Sequence, residues 1–174
     1  PDEHETATVQ AAAMLHDVGH GPYSHTLEHI LHDPGGIDHM SITEANILGD
    51  YDVLRADEES SVPDRQRIPD LLERHDLDPT EVAGLIRGPG VGGTERSLMA
   101  WTEGRDDFVD RDLTLAHLVH GPIDCDQIDY LLRDSHFTGV KHGIVDYRRL
   151  IMCLERHSGD IAVEEGGLPA LEGM

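Results

Sequence analysis

The sequence predicts an all-α protein. Strong helix formers recur at helical spacing, and apolar runs are bounded by capping residues and Gly-Pro pairs. Only the segment from Gly159 to Gly167 reads as β, a short hairpin or strand near the C-terminus. Helices are expected over about residues 6–18, 22–32, 37–48, 65–75, 79–87, 112–119, 123–136 and 146–156.

Taken in order, the elements have local reasons. Thr8 to Val18 is rich in helix formers, among them Ala11, Ala12, Ala13, Met14 and Leu15. Val9, Ala12, Ala13 and His16 fall at i, i+3, i+4 and i+7 and make one buried stripe. Gly19 is a stop just past the helix, and Pro22 follows. On this reading His16 and Asp17 occupy the last helical turn. There the Asp17 carboxylate faces the negative end of the helix dipole, at a cost of a few tenths to about 1 kcal/mol. A bound cation would reverse the sign.

Further along, Asp50 to Asp64 is acidic and irregular. Asp78-Pro79 gives an N-cap followed by Pro at N1. Gly88-Pro89-Gly90-Val91-Gly92-Gly93 lacks the Gly-Lys-Ser/Thr ending and the preceding strand of a phosphate-binding loop, so it reads as a linker or flap. Gly121-Pro122 opens the helix at 123–136, with Pro122 in its first turn. Ile128, Leu131, Leu132 and Ser135 share its core face. Asp126, Tyr130 and Asp134, spaced by four, share another. For Asp124 and Asp129 the positive end of the helix is reason enough. A carboxylate–phenol–carboxylate stripe is unusual for a core and for a plain solvated face, and Asp126 reads as a metal ligand supplied from a distant helix. No internal repeat is present.

The length fits a single domain. The formal net charge is −22, from 35 acidic and 13 basic residues, and Lys141 is the lone lysine. Acid excess with scarce lysine and few aromatics suits a protein kept soluble in high salt, and a haloarchaeal-type cytoplasm is the expected setting. The charge argues against broad nucleic-acid binding, which needs a basic face. No signal peptide is evident and no apolar run is long enough to span a bilayer, so no membrane partner is expected. Cys125 and Cys153 are too few and too far apart for a thiolate metal site or a disulfide framework. Cys125 reads as a small buried filler.

Chemistry concentrates in His16-Asp17-Val18-Gly19-His20-Gly21-Pro22-Tyr23-Ser24-His25. An imidazole and a carboxylate together suit a borderline divalent cation such as Zn, Mn, Fe, Co or Ni. An isolated His-Asp pair is most often an ordinary surface pair or a helix-end hydrogen bond. The continuation Gly-His-Gly-Pro-x-Ser-His is what makes metal-assisted phosphate-ester hydrolysis the first hypothesis.

Joined to Asp124-x-Asp126-x-x-Asp129-Tyr130-x-x-Arg133-Asp134, that motif resembles the HD-domain metal-dependent phosphohydrolases. The branch it is most similar to contains the SAMHD-type deoxynucleoside triphosphate triphosphohydrolases. The resemblance runs from near residue 8 to the end and is loose over residues 50 to 112. It implies an HD-type helical core holding one divalent metal ion (Mn, Fe, Zn, Ni, Co or Mg) through His16, Asp17 and the distant Asp126, with a further histidine. That histidine lies a few tens of residues before the pair in the family. His4 lies only twelve positions before His16 and lacks the family's context, so it is not promoted. The chain begins at Pro1 and ends at Met174, where the family would continue. It is expected to be a single HD-type domain, 1–174, incomplete at both termini.

Other roles follow from the resemblance one residue at a time. His25 would protonate the leaving oxygen, and Glu28, three residues on, would orient and charge it. His20 would line the phosphate site, and His39 would be a further active-site histidine. The family usually has Glu after that histidine, where this chain has Met40. Tyr130 and Asp134 would contact the sugar of a nucleotide substrate. Gln127 stands where SAMHD-type members have Lys, which removes a phosphate contact. The family also implies a homo-oligomer. Of the thirteen histidines, His29, His32, His75, His117, His120, His136, His142 and His157 read as structural or exposed.

The expected reaction is dNTP hydrolysis to deoxynucleoside and triphosphate. Two rivals stand beside it. One is another HD-type phosphohydrolase acting on monophosphates, cyclic nucleotides or an alarmone. The other is a non-catalytic nucleotide-binding regulatory module, to which Met40 and Gln127 lend weight.

Overall fold

The computed structural model describes residues 2–23, 38–50, 66–88, 114–141, 145–157 and 160–174. The described residues are mostly helical, with a two-stranded antiparallel hairpin near the C-terminus, as the sequence predicts. None of the helices among them is long and apolar enough to cross a membrane. The chain divides into two compact units, Pro1–Arg87 and Gly88–Met174. The helix expected at 22–32, the acidic stretch after Asp50 and the glycine-rich loop after Gly88 lie outside the described residues.

In the first unit, α1 spans Glu3–Leu15 and begins earlier than its apolar periodicity suggests. The reason is a capping box. Asp2 accepts from the Glu5 amide at 2.8 Å, and the Asp2 amide donates to the Glu5 carboxylate at 3.0 Å. Burial on α1 centres on Thr8 and Ala12, with Val9, Ala13 and His16 half-buried beside them. Next come α2 (His39–Leu48), α3 (Ile68–Arg74) and α4 (Pro79–Arg87). Asp78 caps α4 as expected, accepting from the Thr80 amide at 2.7 Å. Helix α4 packs on both α1 and α2 and buries Val82, Ala83, Leu85 and Ile86. These residues, with Ile47 of α2 and Leu72 of α3, form the core of this unit. Glu44 of α2 and Arg87 of α4 add a partly buried ion pair. Gly49 ends α2 in the left-handed region, φ 80°, where its amide closes on Ala45 O.

In the second unit, a helix at 114–119 is followed by α6, Cys125–Thr138; we label the former α5. Pro122 therefore lies ahead of α6 rather than in its first turn. Asp124 sets the boundary as N-cap, accepting from the Gln127 amide at 2.7 Å. Helix α7 is only Tyr147–Met152. The expected continuation to residue 156 is instead a strand: β1 (Leu154–His157) pairs antiparallel with β2 (Asp160–Val163), Leu154 opposite Val163. The hairpin thus starts five residues before Gly159. A 3₁₀ turn at Glu165–Gly167 leads into α8, Leu168–Leu171. Val145, Leu150 and Ala170 form the core here, with Ile123, Ile128, Leu131 and Val163 packed against them. His117 Nδ1 of α5 meets Asp160 Oδ1 of β2 at 3.1 Å.

Candidate active site

The His-Asp motif begins where α1 stops. His16 is the C-cap, still right-handed (φ −56°, ψ −30°), and Asp17 to Gly19 form the turn after it. The helix ends at Leu15 rather than at residue 18, so His16 and Asp17 lie just past its last turn instead of within it. Short-range bonds end the helix: Val18 N–H donates to Leu15 O at 3.1 Å, and His20 N–H to Asp17 O at 3.0 Å.

The His16 ring is fixed by its own helix. Nδ1 lies 2.8 Å from Ala13 O. A carbonyl can only accept, so Nδ1 carries the proton in the neutral ring and Nε2 presents a lone pair. That Nε2 lies 3.2 Å from Asp17 Oδ1. His20 Nε2 approaches the same carboxylate oxygen at 3.5 Å. A lone pair on His16 Nε2 facing one on Asp17 Oδ1 at 3.2 Å leaves a gap that suits a cation. Metal–ligand bonds of about 2.0–2.2 Å put neighbouring donor atoms roughly 3 to 3.5 Å apart, so the donor chemistry and spacing fit a divalent ion. Among the described residues, no group of three or more His, Cys, Asp or Glu side chains is arranged to hold one. What the turn offers is the donor pair His16 and Asp17, with His20 beside it. The two imidazoles are largely shielded, while the Asp17 side chain is 56% exposed.

Helix α2 brings the next histidine. Its N-cap Asp38 accepts from the Ser41 amide at 2.7 Å. This places His39 in the first turn, where its ring stacks on that of His20 with centroids 4.0 Å apart and 14° between planes. The hydrogen bonds from Ser41, side chain and then backbone, hold the Asp38 carboxyl below its ordinary pKa. Its capping contribution is therefore present above the unfolded carboxyl value of about 3.9 and is lost as pH falls through the lower folded value. Asp38→Ala should lower stability by about 1 kcal/mol at neutral pH. Denaturant unfolding of the pair should converge in acid; a gap that persisted there would contradict the cap.

The structure thus brings together His16, Asp17, His20 and His39, all in the first unit. His25 and Glu28 lie outside the described residues. Asp126, Tyr130 and Asp134 belong to α6 in the second unit. Asp126 is half-buried in the first helical turn, while Tyr130 and Asp134 are exposed on the following turns. Asp129 is paired with Arg133 on the outer face. Cys125 is exposed rather than buried. Desolvation and then the neighbouring Asp124 carboxylate push its thiol pKa up, which disfavours a thiolate.

Thr43 on α2 was not legible as a site residue. It is fully buried, yet its hydroxyl is engaged with the motif turn. It accepts from Gly19 N–H at 2.9 Å and donates to His16 O at 3.1 Å. Gly19 also proves to be more than a helix stop. A Cβ there would fall 2.5 Å from Thr43 N and 2.6 Å from its hydroxyl, and closer still to His39 O. Tyr23, two residues past Gly21, has φ 64°, an uncommon torsion for a bulky residue.

Comparison with known proteins yields distant relatives. The chain is 30% identical over 173 residues to the uncharacterized Bacillus subtilis protein YwfO, covering 98% of this chain and 31% of that protein. It is 27% identical over 153 residues to the human deoxynucleoside triphosphate triphosphohydrolase SAMHD1, covering 86% of this chain and 23% of the human protein. A hypothetical protein from Aquifex aeolicus, solved by crystallography, superposes with a TM-score of 0.57 at 28% identity over 98% of this chain and 37% of its own. No family model matches. The chain spans about a third or less of the length of these curated relatives. The similarity to SAMHD1 supports an HD-domain-like relationship.

Proposed function

We propose that this chain is part of a metal-dependent nucleotide phosphohydrolase, and that its reaction is hydrolysis of a dNTP to deoxynucleoside and triphosphate. The observation that carries the reading is the Asp17 carboxylate met by His16 Nε2 and His20 Nε2 at the end of α1. The similarity to a triphosphohydrolase over 86% of the chain supports it.

In this reading His16 and Asp17 hold the ion, with Asp126 as the acid from the later helix. Such an ion would supply Lewis acidity, activating a water and polarising the phosphoryl group. Ala13 fixes the tautomer of His16 by accepting its Nδ1 proton, which leaves Nε2 for the ion. His20, stacked on His39, would line the phosphate site. His25 hands a proton to the leaving 5′ oxygen, and Glu28 keeps that imidazole charged. Tyr130 and Asp134 orient the sugar. The acidic surface adds no long-range attraction for the substrate.

The test is product analysis of the full-length protein with a set of dNTPs under Mn, Mg, Fe, Co, Ni and Zn. Inorganic triphosphate and free deoxynucleoside are the expected products. Pyrophosphate or phosphate would move the chain to another class of HD-type phosphohydrolase. Tight nucleotide binding without turnover under every metal would favour a regulatory module.

A further inference from the structure

We propose that Thr43 is a positioning residue: its hydroxyl sets the His16–Gly19 turn from which His16 and Asp17 hold the divalent ion. The inference rests on the metal-dependent reading above and names how that site is held in place.

A threonine inside a helix ordinarily returns its hydroxyl to the carbonyl four residues earlier. Thr8 of α1 does so, bonding His4 O at 2.9 Å. Thr43, equally deep in its unit, instead reaches across to residues 24 and 27 positions away in sequence. The two bonds have opposite polarity. One hydroxyl accepts from the amide of Gly19 and donates to the carbonyl of His16, the two groups that bracket Asp17.

The end of a helix leaves carbonyls that need partners. Four of the carbonyls around this helix end have named partners: Ala13 O takes the His16 ring, Leu15 O the Val18 amide, His16 O the Thr43 hydroxyl and Asp17 O the His20 amide. Thr43 supplies the contact that comes from outside the segment. The Asp17 side chain is more than half exposed, so its aim depends on the backbone beneath it. Gly19 makes the same point from the other side. It lies so close to the backbone of α2 that the turn has one seating. A β-branched residue of modest helix propensity in mid-helix has no local reason to be there. The two bonds to the His16–Gly19 turn provide one.

The experiment uses the full-length protein and Co(II) alone, followed by its visible absorption. Wild type should bind Co(II) with a spectrum of mixed nitrogen and oxygen ligation. Thr43→Val should weaken binding by about 10- to 100-fold, the range for loss of an outer partner of a metal ligand. Thr43→Ser, which keeps the hydroxyl, should restore both affinity and spectrum. Should the valine substitution unfold the protein, Thr43→Ala against Thr43→Ser gives the same contrast, because both lack the methyl and only one lacks the hydroxyl. A folded Thr43→Val or Thr43→Ala protein with wild-type Co(II) affinity overturns the positioning role and leaves the metal reading standing. Failure of Thr43→Ser to restore binding also overturns it. A wild-type protein that binds no Co(II) overturns the metal reading itself, and the role of Thr43 with it.

Discussion

Asp17→Ala is expected to abolish hydrolysis while leaving the fold intact. Its side chain is 56% exposed and contributes no core packing, and surface substitutions of this kind usually stay within about 0.5 kcal/mol of wild-type stability. The backbone bonds of the turn do not use the carboxylate: Asp17 O still receives the His20 amide, and Thr43 still bridges Gly19 and His16. What is lost is the one oxygen that both His16 and His20 approach. Turnover of the full-length protein should fall by at least about 10²-fold, because even a single contact to developing charge is worth roughly 10² to 10³. Tm and product release measured on the same preparation decide it. Near-normal turnover with an unchanged Tm would remove Asp17 from the chemistry.

Gly19→Ala should have the largest effect on structure for the smallest chemical change. Its torsion is not left-handed, so a methyl group is not opposed by the backbone itself. It is opposed by contact, since the new carbon would sit 2.5 Å from Thr43 N and press on His39 O. Those are backbone atoms of α2 and cannot swing aside. Overpacking of this kind costs about 1–3 kcal/mol and sometimes more, and any relief moves the His16–Gly19 turn away from Thr43. Both the denaturant midpoint and metal binding should fall. Gly84 of α4 is the internal control, with nothing within 4 Å of an added Cβ. There alanine should stabilise by about 0.5–1 kcal/mol. Equal tolerance at both positions would show that the close seating of the turn is unimportant.

Much of the fold was legible because local chemistry and tertiary packing agree. Asp78-Pro79 announces α4, which begins at Pro79 as its cap requires. The start of α1 is not visible in apolar periodicity because its capping box, Asp2 with Glu5, precedes that pattern. Strand β1 reads as a continuation of α7 because four residues are too few for a period of two to stand out. Helix α7 ends where the Cys153 amide turns back to Arg149 and Leu150 carbonyls, and Leu154 then finds Val163. Pro122 suggests a start before the true one, since Asp124 supplies the N-cap.

The candidate site shows the same division. His16, Asp17, His20 and His39 carry motif chemistry, and they converge. Thr43 carries none. Its meaning lies in an angle between two segments separated by more than twenty residues, which no local pattern encodes. Histidine positions are visible from composition and spacing, whereas the hydroxyl beneath them is visible only once α2 lies against the turn.

The pairing of Arg87 with Glu44 has a consequence for encounter with ligands. This guanidinium is committed inside the first unit, between α4 and α2, in a chain of 13 basic and 35 acidic residues. A polyanion drifting towards such a surface is screened from it at long range and is repelled once it comes within roughly one Debye length, about 8 Å at physiological salt. Dissolved salt shortens the reach of that repulsion, so a crowded ionic medium eases the approach of a negatively charged visitor instead of impeding it.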